Sequence, residues 1–386
     1  MSNNSLANTA LKGALNANQR LTKTAANGLD WLFRRDTLIK SGRTWYELVY
    51  DGDPMAVRYY NLPGETDIEL ADGSLMPIKR DQYKIPLVLV PPLGATTETF
   101  DLMPQRSLVR YMAAAGFKTY MVDWGKPTKK HAALDMRSYS YEMMSTAIEA
   151  IREHSGSKDV SMMGWCMGGL LSLMYQAQTS DRHVRNIVTV ASPIDMRAGG
   201  ALAAVGQVLE GPAKLIRNFS DFRLNKIDPA LMQMPAWTTT LAFKLTAPVS
   251  SVTTYWDLLT GIADREFVEK HSTTADYLDN FELYPAGVIR DMTVEGLVDN
   301  KFATGKIELR GEVVELKKMK APLLAFAGEK DNIVPADMAK QILEIVGSTE
   351  KTFKIAPGGH MGVILGSKAQ SHVWKESAAW LAERQS

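Results

Sequence analysis

The chain has 386 residues, with 44 Lys+Arg against 43 Asp+Glu and a single cysteine. One cysteine can neither close an internal disulfide nor build a Cys-rich zinc or iron–sulfur site. A formal net charge of +1 and 45% hydrophobic residues describe an ordinary globular chain and leave no basic surplus for a nucleic-acid groove.

The length suits roughly two or three average domains, or one large α/β domain with an insertion. The start, MSNNSLANTALKGALNANQR, is rich in Asn and Ala and lacks the apolar run of about 7–15 residues that a signal peptide needs. No stretch approaches the ~20 apolar residues of a transmembrane segment. A cytoplasmic protein with a reduced thiol is the expectation.

Residues 1–45 read as a helical arm, with Leu29, Trp31, Leu32 and Phe33 available to dock it onto the body. Residues 45–50 and 56–60 alternate apolar and polar side chains and predict paired strands. From Ile85 onward, short apolar runs alternate with helical patterns. Strands are predicted at 87–90, 117–122, 160–163 and 186–191, and helices at 107–115, 139–153 and 168–178. After Asp195 the alternation lapses. It returns with strands at 323–327 and 352–355 and helices at 336–346 and 370–383. A hairpin is predicted before that return, around Gly311-Glu312. This is the pattern of a mainly parallel sheet with helices on both faces. The division expected is an arm at 1–45, an α/β core at 46–195, a lid inserted at 196–320 and the rest of the core at 321–386. Trp237, Phe243, Trp256, Phe267 and Tyr277 fall in the lid and are candidates for its core or for an acyl pocket.

The cysteine lies in Gly164-Trp165-Cys166-Met167-Gly168-Gly169, between a predicted strand and a predicted helix. This is the nucleophile-elbow pattern with Cys in place of Ser. The nucleophile occupies a tight turn, and side chains two residues before and after it would collide with neighbouring backbone. With 28 glycines in 386 residues, glycine at both flanking sites arises by chance for about 0.5% of cysteines. The helix N-terminus behind the turn favours a thiolate and an oxyanion alike.

Six histidines are available to act as base. The α/β-hydrolase order is nucleophile, acid, histidine, the last two on loops after late strands. His360, in Pro357-Gly358-Gly359-His360-Met361-Gly362, fits the base. Asp331, after the strand at 323–327, fits the acid, with Glu329 and Asp337 as weaker substitutes. His183 comes too early, and His131, His154, His271 and His372 are expected to be solvated. An oxyanion hole needs two backbone N–H groups. Met167, next after the nucleophile, should give one. Pro91 and Pro92 have no N–H, so Leu93, and after it Gly94, should give the other. No dinucleotide fingerprint, phosphate loop or HExxH metal motif is present.

With these residues placed, the chain resembles the polyhydroxyalkanoate synthases, particularly the class III catalytic subunits. The resemblance runs from about Thr44 onward. It is carried by Ser107-Leu108-Val109-Arg110, Val122-Asp123-Trp124-Gly125, the Cys166 box, Lys330-Asp331-Asn332-Ile333-Val334-Pro335, Gly359-His360-Met361-Gly362 and Gly366-Ser367. Two stretches differ from the family pattern. Gly94–Phe100 stands where an Asn-Lys-aromatic-aromatic segment is usual, and 274–302 keeps little of the aromatic and Asn pattern. The resemblance implies an α/β-hydrolase fold and an acyltransferase that polymerises 3-hydroxyacyl-coenzyme A, with Cys166, Asp331 and His360 as catalytic residues. It implies no cofactor and no metal, coenzyme A entering only as the substrate thioester. It also implies a polyhydroxyalkanoate chain or granule as partner, an accessory subunit or a homodimer, and a place in the cytoplasm or on polymer granules. The same residues ending in water would give a thioesterase, esterase or depolymerase. An inactive granule-associated relative is the third reading.

Overall fold

The computed structural model describes residues 3–219, 258 and 260–385. Eight strands form the central sheet. In chain order they are β1 Tyr46–Asp51, β2 Ala56–Tyr60, β3 Leu87–Val90, β4 Thr119–Asp123, β5 Val160–Trp165, β6 Val184–Val190, β7 Leu323–Gly328 and β8 Lys351–Ala356. Their order across the sheet is β1-β2-β4-β3-β5-β6-β7-β8. β2 runs antiparallel to β1 and β4, and every other pair is parallel. The strand order reverses between β3 and β5. The carboxyl ends of the strands at such a switch point are where open α/β sheets place their sites.

The strands read as unbroken apolar runs because both faces are covered. Alternation sends Val88, Val90, Val122, Val160 and Met162 into one core, beneath helices α3 (Met144–Ser155) and α4 (Met167–Thr179). Leu87, Leu89, Met121, Met163 and Trp165 enter the other, beneath α2 (Leu108–Ala114) and the last helix, Lys375–Ala382. Ser107 caps α2 by accepting from the Arg110 N–H, and Gly116 (φ 98°) closes it.

The predicted strands are all present, with ends displaced by a few residues, but several details differ. The helices expected at 139–153 and 370–383 each open with a π turn, at Ser138–Met143 and Gln370–Trp374. The extra residue in such a turn rotates the helix face. Tyr139 then packs on Trp124, and Trp374 on Tyr111. The helix expected at 336–346 is two pieces, Ala336–Lys340 and Ile342–Ile345, parted at Gln341, whose amide donates to the Ala303 carbonyl. The hairpin Lys306–Leu309 with Glu312–Glu315 turns at Arg310-Gly311 (φ 49° and 79°), one residue before the expected position. Two positive φ values give the turn hand that matches strand twist. There Arg310 meets buried Asp135 through both carboxylate oxygens, at 2.7 and 2.8 Å.

The arm is a helix, α1 (Asn3–Phe33), but only one of its four expected docking residues docks. Trp31 packs with Leu38, Leu258 and Val268, while Leu29, Leu32 and Phe33 are exposed. Helical spacing explains the correction. Trp31 shares a face with Asn27, which donates to the Ile262 carbonyl at 2.8 Å, and with Asp30, which pairs with Arg265 at 2.6 Å. The other three point away.

Between β6 and β7, the described elements are helices and the one hairpin. They include α5 (Gly200–Phe219) and α6 (Arg265–Asp279), the latter capped by the Asp264 carboxylate. Trp237, Phe243 and Trp256 lie outside the described residues.

Candidate active site

β5 ends at Trp165 and α4 begins at Met167, so Cys166 alone makes the turn, with φ 52° and ψ −121°. That conformation costs about 1–3 kcal/mol for a residue with a Cβ and persists only when the surroundings enforce it. The surroundings are visible. The Cys166 N–H donates to the Val190 carbonyl at 2.8 Å, tying the turn to β6. A Cβ on Gly164 would lie 2.4 Å from the Gly168 carbonyl carbon, and one on Gly168 would lie 2.0 Å from the Val90 carbonyl oxygen. One on Gly169 would lie 2.1 Å from the Ser192 hydroxyl. The three glycines let β3, β5 and α4 close around the cysteine.

Asp331 and His360 meet because the loops after β7 and β8 are joined by backbone. Glu329 N–H donates to Ala356 and Lys330 N–H to Gly358, at 2.9 and 3.0 Å. The His360 Nδ1 then lies 2.8 Å from the Asp331 Oδ2. The other carboxylate oxygen accepts from the Ile333 and Val334 N–H groups at 2.9 and 2.8 Å. Both side chains are buried. The bond to Asp331 assigns the Nδ1 proton and leaves Nε2 as the working atom. Glu329 on the same loop and Asp337 in the helix Ala336–Lys340 are exposed; Asp331 is the carboxylate that reaches the ring.

Burial works against a charge on His360, but the negative charge at Cys166 and the bond to Asp331 outweigh it, and the pKa rises from 6.5 to about 10. Since the folded value lies above the unfolded one, this charge stabilises the fold in full below about pH 6.5, and that contribution is lost as pH rises through about 10. The wild type should therefore lose stability relative to His360→Gln between about pH 6 and about pH 11, read by urea unfolding of both proteins. A constant difference would show that the ring does not carry its charge in the native state.

The expected oxyanion donors lie on two segments pressed together. Met167 opens α4, and Leu93 is buried in the loop after β3. The carbonyls of Val90, at the end of β3, and of Pro91, in that loop, abut Gly168, and Trp124 donates to the Pro91 carbonyl at 2.8 Å. Gly94, with φ 76°, has the Tyr284 ring where a side chain would be: a Cβ would lie 2.1 Å from it.

Sequence reasoning missed Tyr284 and gave Tyr277 no particular weight. Both come from the insertion, where no spacing announced them. Tyr277, at the end of α6, meets the Thr99 hydroxyl at 2.7 Å, and the Glu282 N–H donates to the Gly94 carbonyl at 2.7 Å. Burial raises both phenol pKa values, and the charge at Cys166 adds to the rise. Among the other histidines, His154 is exposed, as expected, and several have polar partners of their own. His131 meets Asp53 at 3.0 Å, His154 the Tyr120 hydroxyl at 2.7 Å and His183 Asp159 at 2.8 Å. Among the described residues, no group of three or more His, Cys, Asp or Glu side chains is placed to hold a metal ion. No described helix is long and apolar enough to cross a membrane.

Residues 85–367 match the model of the alpha/beta hydrolase fold family. The chain is also similar to curated proteins. One is the poly(3-hydroxyalkanoate) polymerase subunit PhaC of Haloferax mediterranei, 25% identical over 350 residues, covering 90% of this chain and 65% of that protein. The subunit of the same name from Allochromatium vinosum is 26% identical over 349 residues, covering 90% of each. Among solved structures, DcsB in complex with its substrate analogue aligns with a TM-score of 0.50 and 16% identity, over 88% of this chain and 99% of that one. The likeness read from the Cys166 box and the two late loops thus extends over most of the chain. A matched span that takes in the elbow and both late loops makes this chain a member of the alpha/beta hydrolase fold family, with polyhydroxyalkanoate polymerases among its relatives.

Proposed function

We propose that the protein is an acyltransferase that polymerises 3-hydroxyacyl-coenzyme A into polyhydroxyalkanoate through an acyl thioester on Cys166. The observation that carries this reading is a cysteine, not a serine, at the elbow of a chain similar over 90% of its length to polymerase subunits. A cysteine suits the task because a thioester-linked chain exchanges with an incoming thioester at little free-energy cost.

His360 Nε2 takes the Cys166 proton, and the sulfur attacks the thioester carbonyl. The Met167 and Leu93 N–H groups hold the resulting oxyanion. The bond to the coenzyme A sulfur breaks, that sulfur takes the proton from His360, and the acyl group stays on Cys166. The 3-hydroxyl of another acyl unit then gives its proton to His360, steadied by Asp331, and attacks. A carbon–oxygen ester bond forms, the carbon–sulfur bond breaks, and the Cys166 sulfur recovers the proton. Tyr277 and Tyr284, both near enough to Cys166 to feel its charge, would keep water from the acyl thioester. The insoluble product makes a polymer granule the expected place of work, with an accessory subunit or a second copy as partner.

The test supplies 3-hydroxybutyryl-coenzyme A and follows both thiol release and product. Thiol release with polymer is expected. Free 3-hydroxybutyrate without polymer would assign the triad to hydrolysis, and no thiol release would favour an inactive relative.

A further inference from the structure

Trp165 immediately precedes the nucleophile, yet the chemistry above gives its side chain nothing to do. Alternation along β5 sends Met163 and Trp165 into the core that also holds Val363 and Ile364 from the His360 loop. The indole is 1% exposed. Its ring centroid lies 5.3 Å from that of His360, with the planes at 37°. Among the described residues its Nε1 has no hydrogen-bond partner. A buried indole usually finds a partner for its N–H, so ring packing rather than a hydrogen bond holds this one.

The Asp331 bond fixes one atom of the imidazole, and a ring held at one atom can still pivot. A flat apolar surface against the ring removes that freedom. Indole is also the aromatic group that attracts a cation most strongly, so the contact favours the imidazolium formed when Cys166 gives up its proton. The charged and titratable groups facing His360 are Cys166 and Asp331, and Tyr277 and Tyr284 lie near enough to Cys166 to feel its charge. We infer that Trp165 is a positioning residue, its indole face holding the His360 ring toward Cys166 and stabilising the ring's charged form. The inference rests on reading Cys166 and His360 as nucleophile and base.

The experiment is the rate of Cys166 alkylation by iodoacetamide, from about pH 5 to about pH 11, in wild type, Trp165→Phe and Trp165→Leu. Phenylalanine keeps a flat face, and its rate should stay within about threefold of wild type. Leucine should slow the neutral-pH rate about thirtyfold, the equivalent of one desolvated cation–π contact, and move the alkaline limb to lower pH. A folded Trp165→Leu protein that matches wild type in both respects overturns the inference. Should that variant not fold, the wild type carries the test. Protonated imidazole quenches an indole in contact with it, so the fluorescence difference between wild type and His360→Gln should change as pH passes through about 10. No change there overturns the inference equally. Neither assay uses an acyl substrate, so the result does not depend on polymerisation. Alkylation as fast in His360→Gln as in wild type would sink the nucleophile–base pairing itself, and the role of Trp165 with it.

Discussion

Cys166→Ala should abolish release of coenzyme A, by about a thousandfold or more, because the acyl thioester then has no atom on which to form. Stability should fall at neutral pH, because the His360 charge loses the partner that raises its pKa most, but the fold should persist. Alanine removes one partly exposed sulfur and meets the same positive φ (52°) that the cysteine already tolerates. Two readouts separate lost chemistry from lost fold. Circular dichroism before the unfolding transition should be superimposable for the two proteins. Iodoacetamide should place one label on the wild type and none on the variant, since the chain has no other cysteine. Cys166→Ser should retain a trace of activity, because the hydroxyl keeps the position but is far harder to deprotonate. Full activity in the alanine variant would remove Cys166 from the mechanism.

Gly168→Ala should damage fold and activity together. The added methyl would sit 2.0 Å from the Val90 oxygen and 2.8 Å from the Pro91 oxygen. Both obstacles are backbone, one in β3 and one in the loop that carries Leu93, so neither can swing aside as a side chain would. Relief requires α4 to lift from β3, with a loss of about 3 kcal/mol or more. The same lift separates the Met167 and Leu93 N–H groups, so turnover should fall even in the fraction that folds. Gly362→Ala is the control. A Cβ there meets nothing within 4 Å, and its unfolding curve should match wild type to within about 0.5 kcal/mol. Equal effects from the two substitutions would show that the close approach of β3 and α4 is not what the elbow glycines serve.

Much of this was legible in the residues, for physical reasons that differ by region. The central strands announce themselves because sandwiching between two helix layers demands uninterrupted apolar runs, as at Leu87–Val90 and Leu323–Gly328. The elbow is legible because its constraint is steric and local: only glycine fits at Gly164 and Gly168. Asp331 and His360 were found from chain order and the glycines around His360, not from any local contact between them.

What escaped the sequence depends on distant packing. The π turns before α3 and at Gln370–Trp374 answer to Trp124 and Tyr111, which lie elsewhere in the chain. The outward face of α1 looks as apolar as its docked face, and only the positions of Asn27 and Asp30 decide which one meets the body. Tyr284 is paired with a glycine far upstream, and no spacing within the insertion predicts that. The short strand pairs Asp67–Glu69 with Leu75–Pro77 and Asp101–Met103 with Arg106–Ser107 are too brief for periodicity to register.

The backbone bonds that join the loops after β7 and β8 have a consequence for how the protein is made. The ribosome delivers Cys166 and its turn early, and the whole insertion follows before β7 and β8 exist. The Lys330–Gly358 and Glu329–Ala356 bonds close only when both late strands have taken their places at the edge of the sheet. Until then the thiol has no imidazole beside it, and a nascent or truncated chain holds an inert cysteine rather than an armed one. On the proposed mechanism, completion of the sheet's last edge would switch the chemistry on, which would make reactivity of the thiol a reporter of finished folding.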